Sequence, residues 1–344
     1  MTNFIYDLIF GLPSVWTYIV AAVLIVAGFF MLIKGADEFV DSSAHLAKLL
    51  KIPAVIVGFT IVAFGTSAPE LSVSISATSS GSAGIAVGDI VGSNVFNLLF
   101  ILGLTSVLRP VLLDRIIVKR DILVMLVSSY ILLLSVFVFG NGSNALMWFE
   151  GLVLLVIFIV YIVLMLKYEM KYQTTILPSK KKKRKKKQDK EKGFILTLVI
   201  FVLSLIIIIV GGSVLTASAK TIAVKLGVSE VLAGLTICAI GSSLPDLITS
   251  LNAIKKNESE IAIGNIVGSN IFNTMCILSI CSFISPITID LFAIIDIVAM
   301  VVMFTAFFIY SMIKDKIDKK AGIAMVCSYI LYFVFIILRE CFWF

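Results

Sequence analysis

Ten apolar stretches decide what this 344-residue chain can become. They run over roughly 15–44, 53–77, 84–107, 116–140, 146–169, 194–226, 229–252, 260–283, 287–312 and 321–342. About 20 helical residues cross the hydrocarbon core of a bilayer, and most of these stretches are 22–26 residues long. The first and sixth are longer, ~45 Å or more at 1.5 Å per residue, so they must tilt, bend or project from the membrane. Lipid offers the backbone no hydrogen-bond partner, so each stretch is expected to be a helix. Composition agrees: 60% of residues are hydrophobic and 14% charged, against about 25% charged in soluble domains. A soluble globular enzyme, a disordered chain and a disulfide-rich secreted module are excluded. The expected fold is an all-α polytopic membrane protein with ten transmembrane helices.

The net charge of +7 belongs to one segment. Residues 178–192 hold ten Lys/Arg and two acids, leaving 18 Lys/Arg and 19 acids elsewhere. Such a run reads as a cytoplasmic loop, residues 171–193, whose 180–187 core faces anionic lipid rather than nucleic acid. Other basic residues follow the odd-numbered stretches: Lys48 and Lys51; Arg109, Arg115, Lys119 and Arg120; Lys255 and Lys256; Lys314, Lys316, Lys319 and Lys320. The positive-inside rule then places those loops in the cytoplasm and both termini outside. Lys220, Lys225 and Arg339 do not fit the pattern. The N-terminus has no basic segment of the signal-peptide kind. Five cysteines in apolar stretches form no CxxC pair, and His45 is the only histidine. These counts argue against disulfides, Cys/His metal sites and Ser-His-Asp catalysis.

The chain repeats itself. Residues 58–98 and 234–274 align without a gap at an offset of 176, with 20 of 41 positions identical. Five stretches separate equivalent points, and five is odd, so the copies enter the membrane in opposite directions. This predicts two inverted five-helix repeats, 1–170 and 194–344, an architecture of many secondary transporters.

Within the repeats lie residues that lipid disfavours. Stretch 2 carries Gly65-Thr66-Ser67-Ala68-Pro69-Glu70, and stretch 7 carries Gly241-Ser242-Ser243-Leu244-Pro245-Asp246. Proline lacks an N–H and clashes with the preceding turn, so carbonyls near 63–66 and 239–242 are expected to be freed. Broken helices at membrane depth need burial or a watery cavity. Glu70 and Asp246 fall mid-stretch, where a carboxylate costs ~2.5–3.5 kcal/mol or more. No Lys or Arg lies in stretches 2, 3, 7 or 8, so a mobile cation is the expected partner. Stretches 3 and 8 add Gly92-Ser93-Asn94-Val95-Phe96-Asn97 and Gly268-Ser269-Asn270-Ile271-Phe272-Asn273. Ser93 and Asn97 share a helical face, as do Ser269 and Asn273. Hydroxyl, amide, carbonyl and carboxylate oxygens are ligands for Na⁺ and Ca²⁺. The glycines read as close-packing positions. Asp89 stands opposite Asn265 in the alignment, either as an access-path charge or as part of the site. Asp37, Glu38 and Asp41 read as a solvated helix end, and Asp296 has no assignment.

These motifs resemble the two α-repeats of the calcium/cation antiporter superfamily, the sodium/calcium exchangers of prokaryotic type. The likeness covers GTSAPE with GSNVFN, GSSLPD with GSNIFN, and the ten-helix layout. It implies that Glu70 and Asp246 are acidic ligands shared by Ca²⁺ and Na⁺. Thr66, Ser67, Ser242 and Ser243 would add hydroxyl or carbonyl oxygens, and Ala63 and Ala239 backbone carbonyls. Ser93 and Ser269 would coordinate Na⁺, and Asn97 and Asn273 would line the middle of the site. The two long stretches look like the family's sliding gate helices. Three positions depart from the usual pattern: Ser242 for Thr, Asp246 for Glu, and Asn273 where potassium-dependent members carry Asp. The resemblance therefore implies no enzyme and no cofactor, but a plasma-membrane antiporter. It would exchange Na⁺ for Ca²⁺ by alternating access, electrogenically if a third Na⁺ is held by neutral oxygens. A proton-coupled Ca²⁺ antiporter with the same site is the alternative, and a cation channel a more distant one.

Overall fold

The computed structural model of the chain describes residues 2–11, 14–50, 52–79, 81, 83–138, 145–176, 193–226 and 239–343. The basic run at 178–192, the connection at 140–144 and the start of the seventh stretch lie outside these residues. The helices begin with α1 (Thr2–Phe10) and α2 (Ser14–Leu50). Next come α3 (Ala54–Thr66), α4 (Ala68–Ser79) and α5 (Ala83–Leu108). Strand β1 (Val111–Leu112) precedes α6 (115–138), and β2 (Ala145–Leu146) precedes α7 (Trp148–Ile176). The second half holds α8 (Phe194–Lys225), α9 (Ala239–Ser242), α10 (Leu244–Lys255) and α11 (Ser259–Ile284). It closes with β3 (Ile287–Thr288), α12 (Leu291–Ile313), β4 (Lys316–Ile317) and α13 (Lys319–Trp343).

Among the described residues, seven helices are long and apolar enough to cross a membrane, and the bent α3–α4 pair makes an eighth. The other two expected crossings correspond to α6 and to α9–α10, the latter described only from Ala239. The protein is thus an all-helical polytopic membrane fold. Its helices exceed the apolar stretches where good helix formers continue the turn. Accordingly α2 runs on to Leu50 through Ala-His-Leu-Ala-Lys-Leu-Leu, and α7 reaches Ile176.

The layering follows polarity. Helices α5 and α11, which carry the Gly-Ser-Asn motifs, are mostly buried. Helices α7, α12 and α13 pack against them, α2 and α8 pack against α3 and α10, and all five turn Val, Ile, Leu and Phe outward, as a lipid-facing surface does. The longest two, α2 and α8, touch through glycine: a Cβ on Gly28 would sit 2.9 Å from the Gly211 carbonyl oxygen. Two antiparallel strand pairs tie off the bundle, β1 with β4 and β2 with β3. Each joins the two halves of the chain.

Partners in this packing account for the charges that broke the loop pattern. Helix α1, which the apolar stretches did not announce, lies against α8. Lys220 Nζ sits 4.4 Å above the Tyr6 ring and Lys225 Nζ 4.1 Å above Phe10. Arg339 on α13 donates to both carboxylate oxygens of Asp296 on α12, at 2.9 and 3.1 Å. Two of the three acids at 37–41, which lie inside α2 rather than at its end, are also engaged: Lys256 Nζ lies 3.6 Å from Asp37 Oδ1 and 2.8 Å from Asp41 Oδ2.

Candidate functional site: a buried oxygen cluster

The helix breaks fall where the Pro-containing motifs placed them, and they match between halves. Ser67 ends α3 with φ −85° and ψ 8°, and Ser243 precedes α10 with φ −88° and ψ 3°. Helices α3 and α4 meet at 44°. Proline at the second position of the following helix needs no intrahelical N–H partner there, so Pro69 and Pro245 fit where a new helix starts. Glu70 and Asp246 therefore lie in the first turns of α4 and α10, near the partial positive charge of a helix N-terminus. The Ala63 carbonyl accepts the Ser67 N–H at 3.0 Å. Thr66 Oγ1 lies 3.3 Å from the same carbonyl oxygen, so both of its lone pairs face donors. Ala239 opens the described part of the second break.

Both carboxylates are fully buried. Asp246 Oδ2 accepts from Asn97 Nδ2 at 2.9 Å. Its Oδ1 accepts from Ser269 Oγ at 3.1 Å and Asn265 Nδ2 at 3.2 Å. Thr66 reaches this group from α3, its Oγ1 lying 2.9 Å from Asn265 Oδ1. Glu70 Oε1 accepts from Ser243 Oγ at 3.1 Å, and that hydroxyl lies 3.0 Å from Ser93 Oγ. Helices from each half thus supply partners to the acid of the other half. Ser242 Oγ lies 3.4 Å from Asp89 Oδ1. Asn273 is buried beside the cluster but bonds neither acid; its Nδ2 donates to Asn94 Oδ1 at 3.3 Å.

A set of buried oxygens finds no partner: Glu70 Oε2, Asn97 Oδ1, Asn273 Oδ1, Ser67 Oγ and Asp89 Oδ2. Among the described residues neither Glu70 nor Asp246 pairs with Lys, Arg or His. An unsatisfied buried polar group costs ~1–3 kcal/mol, more when charged. Orphaned oxygens and unpaired carboxylates together suit a hard cation, which accepts lone pairs and supplies positive charge. No three His, Cys, Asp or Glu among the described residues group as a metal centre. The donors are mainly hydroxyl and amide oxygens around two acids.

The sequence reading missed Asn265 and Ser250 as working members of the network, where Asn265 Nδ2 also lies 3.1 Å from Ser250 Oγ. Asn265 was visible only as the alignment partner of Asp89. It also missed Asn94, whose Nδ2 donates to Thr274 Oγ1 at 2.8 Å. The repeated Gly-Ser-Asn motif was the available signal for Asn94. Glycine roles divide. Cβ atoms on Gly264 and Gly268 would lie 2.9 Å from Gly58 Cα and 2.8 Å from the Phe59 carbonyl oxygen, so these glycines set the α11–α3 approach. The equivalent neighbours of Gly88 and Gly92, in 234–238, lie outside the described residues.

Known proteins resemble this chain in sequence and fold. Residues 20–167 and 196–338 match the family described as sodium/calcium exchanger protein. The putative antiporter CaxA of Alkalimonas amylolytica is 34% identical over 282 residues, spanning 79% of this chain and 83% of that one. The sodium/calcium exchanger MaX1 of Methanosarcina acetivorans is 32% identical over 299 residues, 77% and 83% of the two chains. A solved structure of the sodium-calcium exchanger NCX_Mj superimposes with a TM-score of 0.78 at 27% identity, over 92% of this chain and 99% of that one. The family match spans both halves that build the oxygen cluster, and the chain belongs to the sodium/calcium exchanger protein family of membrane antiporters.

Proposed function

We propose that this antiporter exchanges Na⁺ for Ca²⁺ across the plasma membrane by alternating access around the Glu70–Asp246 cluster. The observation that carries the reading is the pair of fully buried carboxylates, each without a cationic side chain among the described residues and set among orphaned oxygens. One Ca²⁺ or two Na⁺ neutralise the two acids, so the ions exclude one another. A site emptied of cations holds two bare carboxylates in a low-dielectric interior, at a cost of several kcal/mol each. That penalty discourages reorientation without cargo and couples the two fluxes. Exchange of three Na⁺ for one Ca²⁺ moves one net positive charge, worth ~2.3 kcal/mol across 100 mV. Thr66, Ser67, Ser93, Ser242, Ser243, Ser269, Asn97 and Asn273, with the Ala63 and Ala239 carbonyls, form the remaining donor set in this reading.

The inverted five-helix repeat is supported by the matching breaks at Ser67 and Ser243 and by π-helical turns at Phe96–Ile101 and Asn273–Ile277, near the 176-residue offset. Loop charge places 171–193 in the cytoplasm and the termini outside. The test is Ca²⁺ uptake by proteoliposomes loaded with Na⁺, K⁺ or acid and diluted into matched choline buffer. Uptake driven by the outward Na⁺ gradient is the expected result. Uptake driven by the proton gradient alone overturns sodium coupling and leaves a proton-coupled Ca²⁺ antiporter.

A further inference from the structure

Asp89 lies in α5 one helical turn before Ser93, is only 8% exposed, and has no place in the donor set above. Its Oδ1 lies 3.4 Å from Ser242 Oγ, and its Oδ2 has no hydrogen-bond partner. No cationic side chain among the described residues pairs with it. The equivalent pair in the other half is Thr66 with Asn265, and there every polar atom of the amide is used. Asn265 Oδ1 faces Thr66 Oγ1 at 2.9 Å, while Nδ2 faces Asp246 Oδ1 at 3.2 Å and Ser250 Oγ at 3.1 Å. One end of the cluster is therefore closed by hydrogen bonds. The opposite end presents a carboxylate with an unspent oxygen.

We propose that Asp89 and Ser242 form an additional Na⁺ subsite at that end, which deepens the sodium-coupled reading above and rests on it. Oxygens 3.4 Å apart have the spacing of neighbouring ligands around a hard cation with bonds of about 2.4 Å. One carboxylate and one hydroxyl carry a single negative charge, which matches a monovalent ion. Ca²⁺, which takes 6–8 oxygens, fits the two-acid centre better. Asp89 supplies a counter-charge beside a third Na⁺, which neutral oxygens alone would leave uncompensated; the uncompensated charge then falls on the Ca²⁺-loaded state, as the bare Asp89 carboxylate.

The experiment uses the full chain in proteoliposomes and reads two curves: the Na⁺ dependence of Ca²⁺ flux, and Ca²⁺/Ca²⁺ exchange without Na⁺. Asp89→Asn preserves shape and makes the two ends alike. It is expected to raise half-saturating Na⁺ about tenfold, the scale of one lost charge-assisted contact. The Hill slope for Na⁺ should fall by about one, since that slope is bounded by the number of sites. Ca²⁺/Ca²⁺ exchange should change by a clearly smaller factor than half-saturating Na⁺ does. Asp89→Glu, which retains the charge, should keep the Na⁺ slope, and Ser242→Ala should shift the Na⁺ curve in the same direction as Asp89→Asn. An unchanged Na⁺ curve in Asp89→Asn overturns the subsite. So does an equal loss of Ca²⁺/Ca²⁺ exchange, or an Asp89→Glu variant as impaired as Asp89→Asn. A wild-type protein whose Ca²⁺ flux ignores Na⁺ overturns sodium coupling itself, a result separable from any effect of the variants.

Discussion

At the residue scale, Glu70 and Asp246 differ more in their surroundings than their matching motifs suggest. Asp246 accepts from Asn97, Ser269 and Asn265, while Glu70 accepts on one oxygen from Ser243 and keeps Oε2 unpartnered. Glu70 therefore presents the more open donor to a cation. Glu70→Gln keeps the shape and removes one of the two central charges; Ca²⁺ exchange is expected to fall by about 100-fold or more, the scale of breaking a buried charge pair. Initial rates of Ca²⁺ uptake check this, and retained wild-type exchange refutes the assignment. Asn97→Ala removes a charge-assisted hydrogen bond to Asp246 and an orphaned oxygen together. Half-saturating Ca²⁺ should rise about tenfold in flux titrations. The types and numbers of these residues were legible because a mid-membrane carboxylate is chemically expensive and hence conspicuous. Which oxygen stays free was not, since that depends on side chains 149–199 residues away, such as Asn97 for Asp246 and Asn265 for Thr66.

At the element scale, the proline motifs announced the two breaks, because the missing N–H and the ring clash are local properties of the chain. The π-helical turns at Gly58–Val62, Phe96–Ile101 and Asn273–Ile277 carry no such local mark. Each widens one turn beside the site and rotates the residues that follow, a feature frequent at functional positions. Close approach of α11 to α3 is similarly a matter of pairing. Gly264 and Gly268 lie against Gly58, Phe59 and Ala63, leaving no room for a Cβ beside the backbone that carries Thr66. Gly268→Ala should destabilise by about 1–3 kcal/mol through overpacking and lower exchange by displacing Ser269 from Asp246. A fall in detergent melting temperature measured together with Ca²⁺ flux tests both. A variant that melts and transports as wild type shows that the helices give way without consequence.

At the scale of the whole molecule, the cargo belongs to the stability of the fold. A cation that binds the assembled cluster but not the unfolded chain adds RT ln(1 + [L]/Kd), about 2.7 kcal/mol at 100 times Kd. Thermal unfolding in detergent should therefore shift upward with Ca²⁺, and Na⁺ added at fixed Ca²⁺ should compete. Chelation of Ca²⁺ in choline buffer should reverse the shift, and Glu70→Gln should remove most of it. A melting curve indifferent to both ions contradicts a shared site. The same scale shows why Lys220, Lys225 and Arg339 were unreadable as loop charges. Their partners Tyr6, Phe10 and Asp296 are distant in sequence or on another helix, and the loop-charge rule counts position without pairing. The amino-acid sequence alone determined the membrane-spanning helical class, the repeat and the chemical types at its centre. Length, polarity and the period of a duplication are properties that a chain carries before it folds. Only the tertiary structure decided that each half completes the other's acid, that Asn265 closes one end of the cluster, and that Asp89 leaves an oxygen unspent at the other. These outcomes depend on which helices meet and at what distance, and no single segment encodes a distance to its partner.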